Sequence, residues 1–261
     1  MILAIDIGNT NIVLGGFDGN GEISFLTRIS TSLDKTEAEY AVLIKNILEL
    51  NGIGLADIDG SIVSSVVPPL INIISRVMIQ LAGKAPLVVG PGIKTGLNIG
   101  VGDPAELGSD LVVGAVAAMA KYPCPLIILD LGTATTISVI DAAGIFRGVI
   151  IYPGVMVSFD ALTARTAQLP RISFDEPRSV IGTNSVDSMQ SGLIYGNAAM
   201  LDGLIERAEQ ELGCHATVVA TGGLASKIVK HCKREIICDD NLLLDGLRII
   251  YEKNKKGGRN Q

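Results

Sequence analysis

Tryptophan is absent and aromatic residues make up only 4% of the chain. Histidine occurs twice, at His215 and His231, and cysteine four times, at Cys124, Cys214, Cys232 and Cys238, with no CxxC pair. Zinc sites need several such ligands at short, regular spacing, so this sparse set argues against one and for reduced thiols. Basic clusters are equally scarce. Outside the terminal KNKKGGR there is no Lys/Arg block, and the net charge is −6. A broad nucleic-acid face needs the opposite sign of charge. No basic stretch followed by a long apolar run opens the sequence, and the most apolar stretches carry charges or prolines. The expectation is a cytoplasmic protein with no membrane span. GxxxxGK[ST] is also missing, which excludes a P-loop as the phosphate cradle.

What is present is a globular composition: 261 residues, 48% apolar and 18% charged. That length suits one large domain or two small ones with a substantial core. Strand-length apolar runs occur at 2–6, 12–17, 23–30, 61–67 and 86–90. Helical spacing fills 36–52, where Asn51-Gly52 supplies a stop, and 68–84, with prolines at the entry and Gly83 at the exit. Residues 126–141 read as strand, turn and strand, 146–154 continue the sheet, helices are expected near 156–168 and 186–212, and 217–223 is a strand ending in a glycine pair. Strands mixed with helices throughout indicate an α/β fold.

Two segments, LAIDIGNTNIVLGGFD (3–18) and LIILDLGTATTISVID (126–141), follow one plan. Each runs apolar stretch, Asp, apolar residue, Gly, small polar residues, apolar stretch, Asp. Asp6 and Asp130 lie about 124 residues apart, nearly half the chain, which suggests duplicated domains facing each other across a cleft. One such aspartate alone would read as an Asx-turn closing a hairpin. Its recurrence points to shared chemistry: a turn whose backbone donors and hydroxyls wrap a phosphate, beside a carboxylate placed to hold a cation or water.

Paired hairpins of this type resemble the superfamily of acetate kinase, sugar kinases, Hsp70 and actin. The resemblance narrows over nearly the whole chain. DIGNTN, SSVVP (64–68), GPGIKTGL (90–97), DLGTATT (130–136), the Pro153-Gly154 pair, TAQLP (166–170), IGTNSVDSMQSG (181–192) and ATGGLA (220–225) fall in order. Together they resemble type III pantothenate kinase, which phosphorylates pantothenate in the first committed step of coenzyme A synthesis. The resemblance implies two duplicated actin-like (ribonuclease H-like) α/β domains, with mixed sheets flanked by helices and a cleft between them. Residues 1–118 would form the first domain, 119–253 the second, and 254–261 a flexible tail. It further implies that Asp6, Ile7, Gly8, Asn9, Thr10, Asn11, Ile12 and Val13 bind the phosphates of ATP. Asp6 would also hold Mg²⁺ or a similar divalent cation. Asp130 matches a K⁺ (or NH₄⁺) position and Thr133 a second phosphate contact. Residues 182–192 match an adenosine segment, in which Ser185 stands where the family has a substrate-touching threonine. Gly108, Ser109, Asp110 and Leu111 match the pantothenate segment, and Asp110 the aspartate that takes the proton from the primary hydroxyl. A homodimer is implied as well.

The substrate segment departs from the family pattern of tyrosine, proline, Gly-Ala-Asp-Arg and a following asparagine. Here VGDPAELGSDLVVG (101–114) puts Val101 at the tyrosine position, Leu111 at the arginine and Gly114 at the asparagine. Arginine is the side chain suited to a carboxylate such as pantothenate's, and leucine has no donor. A kinase for another small alcohol, or a nucleotide-binding regulator without turnover, therefore stand beside the pantothenate reading. The acidic charge argues against direct DNA contact by such a regulator. Arg165 reads as a solvated or interface residue that could face the substrate, Tyr152 as a residue that lines the pocket or, more simply, packs, and His231-Cys232 as helix surface. Gly222 and Gly223 suit close backbone approach to a nucleotide, or a plain glycine turn.

Overall fold

The structure, a computed structural model, describes residues 1–257. It divides into two compact units. The first comprises residues 1–97, 102–117 and 242–257, and the second comprises 98–101 and 118–241.

The first unit is built on strands β1 (Ile2–Ile7), β2 (Asn11–Phe17), β3 (Ile23–Ser30), β4 (Gly60–Ser65) and β5 (Leu87–Val88), in the order β3-β2-β1-β4-β5. β1 pairs antiparallel with β2 and parallel with β4. Helices α1 (Glu37–Leu50) and α2 (Pro68–Ala82) cover one face, where Tyr40, Ile44, Leu70 and Ile74 meet Leu3, Ile5 and Ile7. α3 (Ser109–Lys121) and α8 (Leu242–Gly257) cover the other, where Val113, Val116, Leu247 and Ile250 meet Ala4 and Ile62. A strand covered on both faces explains the unbroken apolar run ILAI (2–5) ahead of Asp6, because neither side chain parity faces water.

Local chemistry sets the helix limits. Thr36 caps α1 with a capping box: its hydroxyl accepts from the Glu39 N–H at 3.3 Å while the Glu39 carboxylate accepts from the Thr36 N–H at 2.7 Å. α2 starts on Pro68-Pro69 and stops at Gly83, whose φ of +68° is the left-handed cap that glycine adopts without strain.

The second unit contains β6 (Asn98–Ile99), β7 (Leu126–Leu131), β8 (Ala134–Ile140), β9 (Ile145–Pro153), β10 (Thr217–Thr221) and β11 (Ile237–Cys238), in the order β11-β10-β7-β8-β9-β6. Without the two-residue β6 at its edge, this is again third, second, first, fourth, fifth. Even the irregularities repeat: the register shifts at Gly16/Phe17 and at Val139/Ile140 each fall three residues after the partner of the motif aspartate, Val13 or Thr136. The duplication inferred from two short segments thus extends to whole sheets of the actin-like, ribonuclease H-like kind. α4 (Val155–Arg165), α5 (Ser185–Ser191), a one-turn π-helix (Gly192–Gly196), α6 (Asn197–Leu212) and α7 (Ala225–Val229) complete the unit. Val155, Phe159, Leu201, Ile205 and Ile228 pack on Ile127, Leu129 and Ile137.

The helix expected over 186–212 is present and continuous from Ser185 to Leu212, widened by one π turn at Gly192–Gly196. Two expectations need correction. The chain does not pass once between units near 118/119: residues 98–101 belong to the second unit, and α8 belongs to the first because its apolar stripe packs on that sheet. The tail expected over 254–261 is helical as far as Gly257, and residues 258–261 lie outside the described residues.

Candidate active site

In the first unit, β1 and β2 close through Gly8, Asn9 and Thr10. The Gly8 N–H donates to the Asn11 carbonyl at 2.9 Å, and Thr31 clamps the turn, its hydroxyl donating to the Gly8 carbonyl at 2.7 Å and its N–H to the Thr10 carbonyl at 2.9 Å. Asn9, Thr10 and Asn11 are exposed at the tip, whereas Asp6 is only 8% exposed. Ile7 and Ile12 are fully buried and pack the hairpin's base into the core. Gly8 does not have a positive φ. Its role is close approach, since a Cβ there would sit 3.1 Å from the Asn11 carbonyl oxygen.

The second hairpin is one residue tighter, with Gly132 and Thr133 at the turn and the Gly132 N–H donating to the Ala134 carbonyl at 3.1 Å. Gly132, Thr133 and Ala134 are exposed, and Asp130 is half-buried. Two glycines from distant motifs seat this hairpin. The Gly154 N–H donates to the Thr133 carbonyl at 3.1 Å, and a Cβ on Gly154 would overlap the carbonyl oxygens of Gly132 and Thr133. Gly222, at φ +98°, backs directly onto Asp130: a Cβ there would lie 2.7 Å from the carboxylate oxygen and from the Leu131 backbone. The glycine of ATGG therefore supports the aspartate of DLGT, 92 residues away in sequence.

Asp110 occupies the first turn of α3. Its carboxylate accepts from the Leu111 N–H at 2.8 Å, and its Oδ1 lies where a side chain on Gly108 would stand, 2.5 Å from the site of that Cβ. Burial pushes the Asp110 carboxyl above its ordinary value, against the opposing pull of the Leu111 and Asp110 backbone N–H groups. Ser109 bonds to Ser64 and Ser65 at the end of β4, and Ser64 is the register partner of Asp6. Thus the first unit links its hairpin aspartate to the Asp110 turn through the SSVVP segment. At its far end α3 is tied by Lys121 and Tyr122 to the buried Asp239 carboxylate, at 2.6 and 2.8 Å, an anchor that the sequence pattern does not reveal.

Ser185 opens α5, whose cap is Asn184, accepting from the Asp187 N–H at 2.9 Å. Gly182, Thr183, Ser185, Ser188 and Asn197 line a cavity of about 780 Å³ within the second unit, together with Tyr152, Phe159, Leu162 and Met200. Tyr152 is therefore a wall residue and not simply packing. No charged side chain lines this cavity.

Of the three departures from the family pattern, Leu111 is half-buried in the Asp110 turn and Val101 lies in the loop before it. Gly114 does not share that environment. It is buried beneath α8, where a Cβ would meet Leu243 at 3.4 Å, so this change concerns helix packing. Arg165 is exposed at the end of α4. His231 Nε2 lies 3.3 Å from the Glu176 carboxylate and its ring stands edge-on to Tyr195 at 5.1 Å, a structural contact. Burial pushes the Cys232 thiol up to about 12, which leaves it inert at neutral pH.

Among the described residues, no group of three or more His, Cys, Asp or Glu could hold a metal unaided, and no helix is long and apolar enough to cross a membrane. The residues fit a magnesium ion of the kind that one carboxylate shares with substrate phosphates and water.

A model of the family described as type III pantothenate kinase matches residues 2–207. A type III pantothenate kinase of Exiguobacterium sp. is 48% identical over 256 residues, covering 98% of this chain and 100% of the relative. That of Brevibacillus brevis is 46% identical over 255 residues, covering 98% and 100%. Among solved structures, one described as a Baf family transcriptional activator from Campylobacter jejuni is similar at a TM-score of 0.61 with 18% identity, covering 97% of this chain and 99% of that one, a likeness of fold alone. Nearly full-length identity of this order, on a duplicated sheet with both aspartate hairpins in place, shows that the chain belongs to the type III pantothenate kinase family.

Proposed function

We propose that the protein transfers the γ-phosphoryl group of ATP to the primary hydroxyl of pantothenate, forming 4′-phosphopantothenate at the entry to coenzyme A synthesis. The observation that carries this reading is the near-complete match to pantothenate kinases together with an Asp110 carboxylate held in a half-buried turn. In the reaction, the hydroxyl oxygen bonds to the γ-phosphorus as its proton passes to Asp110, and the bond to the β-phosphate oxygen breaks to release ADP. Most of the acceleration in such transfers comes from positioning and charge neutralisation. Residues 6–13 would bind ATP phosphates through the exposed Gly8–Asn11 turn, with Asp6 toward the divalent cation. Thr133 would give a second phosphate contact, and Asp130 would take K⁺ or NH₄⁺. Magnesium, when bound, neutralises phosphate charge. The uncharged walls beside Ser185 suit a neutral portion of a ligand, the nucleoside or an amide chain, and not its phosphates.

Leu111 favours a second reading, a kinase for another small alcohol, because pantothenate's carboxylate finds no donor on that side chain. A direct test is Leu111→Arg. A restored charged hydrogen bond is worth about 1.5–3 kcal/mol, so the KM for pantothenate is expected to fall by about tenfold or more. A variant whose KM is unchanged while other alcohols react faster would favour the second reading. A regulator without turnover is disfavoured by the ordered Asp110 turn. Four free cysteines suit a reducing cytoplasm. A homodimer is supported by exposed apolar residues gathered between 151 and 186, Ile151 at 68% and Ile181 at 82% among them. Sedimentation is expected to give a dimer mass, and Ile181→Glu to reduce it toward the monomer.

A further inference from the structure

Ser109 falls in the segment matched to substrate binding, yet its hydroxyl has no capacity left for a ligand. A serine hydroxyl carries one proton and two lone pairs. The Ser65 carbonyl oxygen, 3.0 Å away, can only accept, so it takes the Ser109 proton. The Ser65 N–H donates to one lone pair at 3.1 Å. The Ser64 hydroxyl, 3.0 Å away, must then donate to the other, because the Ser109 proton is already placed. Ser64 is fully buried, so these bonds are shielded from competing water.

We infer that Ser109 is a positioning residue for Asp110 and not a substrate contact: its hydroxyl pins the first turn of α3 to the end of β4, and so fixes where the Asp110 carboxylate is held. The inference rests on the reading of Asp110 as the proton acceptor. Both features that hold the carboxylate, the Leu111 N–H and the space left by Gly108, flank Ser109 within that single turn. β4 lies between β1 and β5, and Ser64 and Ser65 are the register partners of Asp6 and Ile7, so the turn is pinned to the strand beside the phosphate hairpin. Proton transfer is sensitive to displacement, and a shift of about 1 Å costs up to 10²-fold. A loosened turn therefore lowers kcat without removing any ligand contact.

The test is steady-state kinetics of full-length protein with Mg·ATP and pantothenate for wild type, Ser109→Ala and Ser109→Thr, beside amide exchange at Ser65 and thermal melting. The expected result for Ser109→Ala is a kcat lower by about tenfold, both KM values within about twofold, and faster exchange at the Ser65 N–H. Ser109→Thr, which keeps the hydroxyl, is expected to recover most of kcat. A raised pantothenate KM at unchanged kcat would make Ser109 a substrate contact and overturn the proposal. So would unchanged kinetics with a lower melting temperature, which describes a purely structural bond, or a threonine variant no better than alanine. If wild type itself forms no phosphopantothenate, the proposed activity fails, and this proposal with it. Wild-type turnover with an undisturbed Ser109→Ala defeats this proposal alone.

Discussion

Asp110→Asn is expected to lower kcat by about 10²–10⁴-fold, the range that a positioned general base contributes, while ATP binding stays as in wild type. The amide keeps the shape and can still accept from the Leu111 N–H, but it cannot take the substrate proton. Burial raises the Asp110 carboxyl, which makes its ionised form a stronger base than an ordinary aspartate. Two pH results follow. The acid limb of kcat in wild type should have its midpoint above the usual carboxylate value, and the limb should vanish in the variant. A carboxyl raised on folding favours the folded state most when protonated. That contribution is complete below the unfolded value and is lost as pH rises through the folded one. At neutral pH the ionised Asp110 is therefore a burden on stability. Asp110→Asn should melt at or above the wild-type temperature at pH 7, with the advantage disappearing in acid. A variant that melts lower at pH 7 would mean that the carboxylate serves the fold and not the reaction.

Gly222→Ala carries the second large effect. The residue sits at φ +98°, where a side chain costs about 1–2 kcal/mol. Its new methyl would also press within 2.7 Å of the Asp130 carboxylate and of the Leu131 N and O, and overpacking of that kind costs typically about 1–3 kcal/mol. At about 2–4 °C per kcal/mol for a chain of this size, the melting temperature should drop by about 5–15 °C. The displaced Asp130 hairpin should also weaken ATP binding, measured by titration with a non-hydrolysable analogue. Gly213→Ala separates the two causes. Gly213 has φ +72° but nothing within 4 Å of its Cβ position, so it carries only the conformational penalty. Equal losses for both variants, with ATP binding intact, would show that Gly222 does not support Asp130.

The hairpins were legible because their signal is local. Apolar runs around Asp-x-Gly need no knowledge of the rest of the fold, and the repeat at Asp130 turned one ambiguous turn into a pattern. α1 and α2 were legible for the same reason: cap, periodicity and stop lie within one segment. What escaped depends on residues far apart. The membership of α8 in the first unit is a tertiary choice that its Leu244, Leu247 and Ile250 stripe cannot announce, since either sheet would bury it. Gly222 announced close approach, but its partner Asp130 lies 92 residues back. Gly114 looked like a lost polar contact and is a packing glycine beneath Leu243, visible only once α8 is in place. β6 is two residues long, too short for any periodicity. The pin between Ser109 and Ser64 spans 45 residues and joins two motifs that the sequence presents separately.

The most direct test of the account is phosphate transfer by the purified protein from Mg·ATP to pantothenate in potassium buffer, with the product identified by mass. The account predicts 4′-phosphopantothenate, formed in step with ADP and at least about 10²-fold more slowly with Asp110→Asn. ATP bound tightly with no phosphopantothenate formed would contradict it, and would assign the Leu111 turn to a different acceptor.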